Sequence, residues 1–148
     1  MSTLEEQFTN ALHNTARAWK AAVDRRLKYL GLSQASWTTI AAIAKNSTLM
    51  SQAELAQRLG IEAATMVAMI DRLVKAQLVT REASSSDRRI KLVVLTPAGH
   101  ELFGKVKVEA GIFRNELLSK VDRDKLLMAT ELLEYLQGVS ESAAANHE

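Results

Sequence analysis

The chain has 148 residues, 47% of them hydrophobic and 24% charged, a balance that suits one soluble globular domain with its own core. It contains no cysteine, so disulfides, thiolate nucleophiles and Cys-ligated zinc or iron–sulfur sites are excluded. No apolar run approaches the roughly 20 residues that span a bilayer, and the polar N-terminus is no secretory signal, so the expected location is the cytoplasm.

Six glycines and one proline in the whole chain favour long helices with few sharp turns. The formal net charge is only +2. Its distribution says more. Residues 51–100 carry seven Lys/Arg against five Asp/Glu, and residues 101–148 carry six against nine. A basic face can therefore coexist with a weakly charged whole.

From Leu4 to Leu30 the apolar residues Phe8, Leu12, Ala16, Trp19, Val23, Leu27 and Leu30 recur every three or four positions, one face of a long helix. Gly31 suits its end, because glycine takes the left-handed backbone cheaply. Ser33 is placed to cap a second helix through about Lys45, with Trp37, Ile40, Ala41 and Ala44 inward. A third helix opens at Ser51, where Ser51-Gln52-Ala53-Glu54 has the spacing of a capping box, and it ends at Gly60. A fourth helix is expected from about Glu62 to Ala76. Its expected inward stripe is Val67, Ile70, Leu73 and Val74, with Thr65, Ala68, Met69 and Arg72 outward.

After Gln77 the pattern changes. Leu78–Glu82 and Ile90–Leu95 are β-prone runs flanking the polar stretch Ala83-Ser84-Ser85-Ser86-Asp87-Arg88-Arg89, which reads as a hairpin tip. Thr96-Pro97 restarts a helix, threonine as cap and proline in the first turn. Leu102, Phe103, Val106, Ala110, Phe113 and Leu117 line that helix. Asp122 opens the last one, lined by Leu126, Leu127, Leu132, Leu133, Leu136 and Val139. The small, polar residues 140–148 read as a frayed tail.

The expected fold is therefore mainly α with a small β-wing. Residues 33–95 form a winged helix-turn-helix core within a single domain, and residues 1–30 and 97–139 form flanking helices. A recognition helix lays a polar or small-residue face into the major groove of double-stranded DNA while its back packs on the domain. The candidate DNA contacts are Thr65, Met66, Ala68, Met69 and Arg72 on that helix, Ser51 before it, and Arg81, Asp87, Arg88 and Arg89 on the hairpin. An arginine at a projecting tip can enter a narrow minor groove, where the negative potential is enhanced. Arg88 is assigned that place, with Arg89 supported by Asp87 or touching phosphate; the reverse order stays open.

Leu55-Ala56-Gln57-Arg58-Leu59-Gly60-Ile61, Ile70-Asp71-Arg72-Leu73, and Asp87-Arg88-Arg89 through Leu95-Thr96-Pro97-Ala98-Gly99 together resemble the MarR family of bacterial transcription regulators. Asp24-Arg25-Arg26-Leu27-Lys28 and the stretch Leu32–Trp37 are most similar to its SlyA-type branch. The resemblance implies a homodimer with interlocked terminal helices and winged helices on a palindromic operator. Phe8, Leu12, Leu30, Phe103, Phe113, Leu133 and Leu136 are the matching candidate interface residues, offering more apolar surface than a two-layer monomer readily hides. It also implies release of DNA by a small aromatic acid or phenolic effector. In this chain such a site would involve Arg17, Trp19, Trp37, Ala41 and Met69, arginine and tryptophan being apt partners for a planar carboxylate. SlyA-like members often carry arginine where this chain has Ala68, so guanine readout from that position is not expected here.

No enzyme is indicated. His13, His100 and His147 lie apart without metal-ligand spacing, and no Gly-rich phosphate loop or Gly-x-Ser-x-Gly elbow occurs. Neither a metal nor another cofactor is expected. The alternative to operator binding is a winged-helix module that binds protein through the same faces.

Overall fold

A computed structural model of the chain describes residues 1–146; residues 147 and 148, His147 among them, lie outside the described residues. The element order is α1 (Leu4–Leu27), a single 3₁₀ turn (Lys28–Leu30), α2 (Gln34–Lys45), β1 (Met50–Ser51), α3 (Gln52–Leu59), α4 (Ala63–Lys75), β2 (Val79–Ala83), β3 (Lys91–Leu95), α5 (Pro97–Leu118) and α6 (Arg123–Ala145). Two compact units divide at Gly111, within α5.

Local chemistry sets the helix boundaries. The Ser33 hydroxyl accepts the Ser36 backbone N–H, Thr96 accepts that of Gly99, and Asp122 accepts that of Lys125. Each satisfies one of the orphan donors at a helix start. Thr3 and Glu6 form a full, reciprocal capping box on α1. At Ser51 the box is only half made: its hydroxyl accepts the Glu54 backbone N–H, but the Glu54 carboxylate answers the hydroxyl rather than the Ser51 backbone. Gly31 and Gly60 end their helices with φ of 73° and 64°, the left-handed conformation expected of them.

In the first unit, α2, α3, α4 and a three-stranded antiparallel sheet of order β1-β3-β2 enclose one core. Five residue pairs, Val79↔Leu95 through Ala83↔Lys91, fix the wing's register, and Met50 and Ser51 pair with Val93 and Leu92 at its other edge. The fully buried side chains include Ile40, Leu55, Met66, Ile70, Val79 and Val93. Val93 and Leu95 lie two residues apart on β3, and Val79 of β2 pairs with Leu95, so a single sheet face meets the helices. Leu102 and Phe103, from the start of α5, pack on this core. Val23 and Leu27 of α1 and Val106 of α5 are also buried.

In the second unit no residue of α6 is buried. That helix continues past Val139 to Ala145, so the small, polar residues from 140 to 145 are helical rather than a frayed tail. Alanines 143–145 are strong helix formers, and the Ser142 hydroxyl donates to the Gly138 carbonyl one turn back.

Candidate nucleic-acid interface

The helix-turn-helix is α3, the turn around Gly60, and α4. The interior face of α4 is Met66, Met69, Ile70 and Leu73, at i, i+3, i+4 and i+7. This corrects the expected register. Met66 is 0% and Met69 3% exposed, so both point into the core rather than outward, whereas Val67, expected inside, is 41% exposed. Two apolar stripes one residue apart were available, and the one with the unbranched, adaptable methionines joins Ile40, Leu55 and Val93 in the core. Met69 is further held by the Ser36 hydroxyl, 3.6 Å from its sulfur, and Arg72 Nη2 lies 4.0 Å from the same atom.

Outward, α4 exposes Thr65, Ala68 and Arg72 as expected. It also exposes Ala64, Asp71 and Lys75, which sequence reasoning omitted and which a helical wheel centred on the methionines would have found. Small side chains at 64 and 68 let a helix backbone approach base edges closely, while Thr65, Arg72 and Lys75 supply donors.

The wing is β2, the loop 84–90, and β3. Its tip is closed by the Ser84 backbone N–H donating to the Ile90 carbonyl, and the Ile90 N–H donating to Asp87. The Asp87 carboxylate accepts the Arg89 backbone N–H at 3.0 Å and its Nε and Nη2 at 3.1 Å each. These bonds hold the Asp87 carboxyl below its ordinary pKa. Arg89 is thus fixed in direction while its side chain stays 90% exposed, and Arg88 is exposed beside it. The expected Asp87–Arg89 pair is present.

Two other expected contacts have internal work. Ser51 is half-buried, its hydroxyl engaged with Glu54. Arg81 is half-buried too. Its Nε donates to Gln52 Oε1 and its Nη2 to Asp71 Oδ1, both at 2.6 Å.

The residues expected at an effector site are dispersed in their bonding. Arg17 is exposed and donates to Asn14 on its own helix, and Trp19 is half-buried. Trp37 donates its indole N–H to Asp24 Oδ1 at 3.4 Å; Ala41 and Met69 are buried. Of the expected interface residues, Phe8, Leu12 and Leu133 are 38%, 37% and 43% exposed, whereas Leu30, Phe113 and Leu136 are half-buried. Phe103 is half-buried against the winged-helix core. Among the described residues no cluster of three His, Cys, Asp or Glu could hold a metal ion, and no helix is long and apolar enough to cross a membrane.

A helix-turn-helix whose second helix turns small and cationic residues outward, followed at once by a hairpin tipped with two arginines, defines a winged-helix DNA-binding protein. The model of the MarR family matches residues 30–90, the whole helix-turn-helix and most of the wing. The crystal structure of the transcriptional regulator PA3341 is 36% identical, with a TM-score of 0.84 over 91% of this chain and 98% of that one. The chain belongs to the MarR family of transcriptional regulators. Its fold is also that of the transcriptional regulator BldR from Sulfolobus solfataricus (28% identity, TM-score 0.77, covering 96% of this chain and 99% of that one). Staphylococcus aureus MarR, solved in complex with salicylate and kanamycin, shares the fold at 22% identity and a TM-score of 0.83, covering 94% of this chain and 93% of that one.

Proposed function

We propose that this protein is a sequence-specific transcriptional regulator of the SlyA type, a repressor that binds a palindromic operator as a homodimer. The observation that carries the reading is the pairing of two exposed features in one compact unit. These are the outward face of α4, with Thr65, Ala68 and Arg72, and the wing tip, with Arg88 and Arg89. α4 enters the major groove and the wing the minor groove. The bonds to Asp87 favour Arg89 as the inserted guanidinium, because its orientation is set before DNA arrives, and leave Arg88 to phosphate.

Phe8, Leu12 and Leu133 support the homodimer: each is a large apolar side chain left substantially in water by one chain. The candidate dimer contact is these residues with Leu30, Phe113 and Leu136. Phe103 contributes less, since it already packs on the core. The protein acts in the cytoplasm, on the nucleoid.

Selection of bound fragments from a random duplex library, at stated salt, tests the whole reading. The expected product is an inverted repeat with half-sites about 10 base pairs apart, one turn of ~34 Å. Its affinity falls steeply with salt as phosphates release counterions. A library without enrichment, or binding indifferent to salt, overturns the reading in favour of a protein-interaction module.

The effector we propose is a small aromatic acid or phenolic compound, with Arg17, Trp19, Trp37, Ala41 and Met69 as its candidate residues, of which Arg17 is engaged with Asn14 and Ala41 and Met69 are buried in the chain alone. The chain's two tryptophans are both in this set, so salicylate should change the intrinsic fluorescence and weaken operator binding together. Unchanged emission and unchanged operator affinity at saturating salicylate would remove this site.

A further inference from the structure

Arg81 lies in the middle of β2, on the strand face that also carries the buried Val79, so its side chain runs back over the helix-turn-helix rather than out to solvent. There it meets two elements at once. Gln52 is the first residue of α3, and Asp71 stands on the exposed side of α4. Both bonds are 2.6 Å, and the Arg81 side chain is only 27% exposed, which strengthens charge-assisted bonds relative to a fully hydrated pair. The Asp71 side chain is 61% exposed, a negative charge on the surface that meets a polyanion.

We propose that Arg81 is a positioning residue for operator binding: it ties the wing to both helices of the helix-turn-helix and masks the charge of Asp71. This rests on the operator-binding reading above. Without the bridge, the wing is still joined to the helices by the short β1–β3 pairing, the apolar core and the Leu78 N–H to Leu73 carbonyl bond at its base, but it loses its side-chain tie to both α3 and the exposed side of α4. The angle between the two groove-reading parts then widens its range, and that freedom must be lost again on binding.

The prediction runs against simple electrostatics. Removing an exposed carboxylate from a DNA-facing surface should tighten binding to phosphate. If Asp71 instead holds Arg81 in place, Asp71→Ala weakens it.

The test titrates wild type, Asp71→Ala, Arg81→Ala, the double variant and Arg81→Lys on the selected operator across a salt series. The positioning role predicts a loss of about tenfold for each single alanine variant, the scale of one charge-assisted bond, with no further loss in the double variant. Arg81→Lys, able to serve one partner, should recover part of the loss. The slope of log affinity against log salt stays at the wild-type value. A direct phosphate contact by Arg81 would instead lower that slope by about one for each phosphate lost. A lowered slope, or tighter binding by Asp71→Ala, overturns the proposal.

A second arm needs no DNA. In amide NMR spectra of the free protein, Arg81→Lys should shift resonances at the start of α3 and around Asp71 together. Shifts confined to β2 overturn the bridge even if every variant binds. Joint shifts on Arg81→Lys together with a wild-type protein that binds no duplex overturn the operator reading and the bridge's role in it, leaving the bridge itself established.

Discussion

Gly99, in the first turn of α5, lies directly against the backbone carbonyl of Leu78, the residue just before β2. A Cβ at position 99 would overlap that carbonyl oxygen and stand 3.2 Å from Leu95 Cδ2. The approach is drawn in by the Thr96 side chain, which caps α5 through the Gly99 N–H and donates to the Gln77 carbonyl at 2.7 Å. A threonine, a proline and a glycine thus seat the long helix on the strand entry.

Gly99→Ala should therefore destabilise the protein by about 2–3 kcal/mol, the range of overpacking against rigid backbone. That corresponds to a drop of about 5–10 °C in Tm for a chain of this length. Gly104→Ala, in the same helix but with open space around the added methyl, should raise stability by about 0.5–1 kcal/mol. Thermal unfolding of both variants decides the point: equal melting temperatures would mean that residue 99 is not pressed against Leu78.

The register of α4 separates two further substitutions. Met66 is fully buried and Ala68 exposed, two positions apart. Met66→Ala should cost about 2–5 kcal/mol of stability as a core truncation and leave operator preference unchanged in the folded fraction. Ala68→Arg should leave stability within about 0.5 kcal/mol and shift the selected operator toward guanine at one position per half-site. Repeat selection with the variant checks this, and an identical consensus would mean that position 68 does not meet bases.

Much of this architecture is legible in the sequence, because its determinants are local. Ser33, Thr96 and Asp122 cap helices at their own doorstep, and Gly31 and Gly60 end them by backbone geometry. The wing announced itself by two β-prone runs around a polar tip. What escaped depended on distant partners or on a choice between near-equal patterns. Val67 and Met66 sit on alternative apolar stripes that share Ile70 and Leu73, and only the shape of the enclosing core selects between them. β1 is two residues long, too short to show any period. Arg81 reads as one more basic wing residue, since its partners Asp71 and Gln52 stand 10 and 29 positions away.

The wing tip has a pH signature. Arg89 hydrogen bonds lower the pKa of the Asp87 carboxyl, so its bridge is intact above the ordinary aspartate value and lost only as pH falls through the lowered one. Asp87 should therefore contribute no pH dependence to operator binding between about pH 5 and pH 8. In a carboxyl NMR titration, Asp87 should protonate at lower pH than a model aspartate and move up toward the ordinary value in Arg89→Ala. An unmoved midpoint in that variant would show that Arg89 is not the cause.

Dimerisation yields the last prediction. Leu133 leaves 43% of its surface in water within one chain and Phe8 38%, and α6, which carries Leu133, buries none of its residues. If a second copy covers them, a carboxylate placed there is buried without a partner. That costs about 3 kcal/mol or more, or about a hundredfold in the dimer constant. Leu133→Asp and Phe8→Asp should each shift sedimentation toward monomer and weaken operator binding in parallel, because two half-sites would then be engaged by separate molecules. Tyr29→Phe is a useful control. It deletes the Tyr29–Glu109 hydrogen bond between the 3₁₀ turn and α5, within the first unit, and should leave the sedimentation coefficient unchanged. A wild-type protein that sediments as a monomer at micromolar concentration, or aspartate variants that remain dimeric, would require another role for these apolar faces.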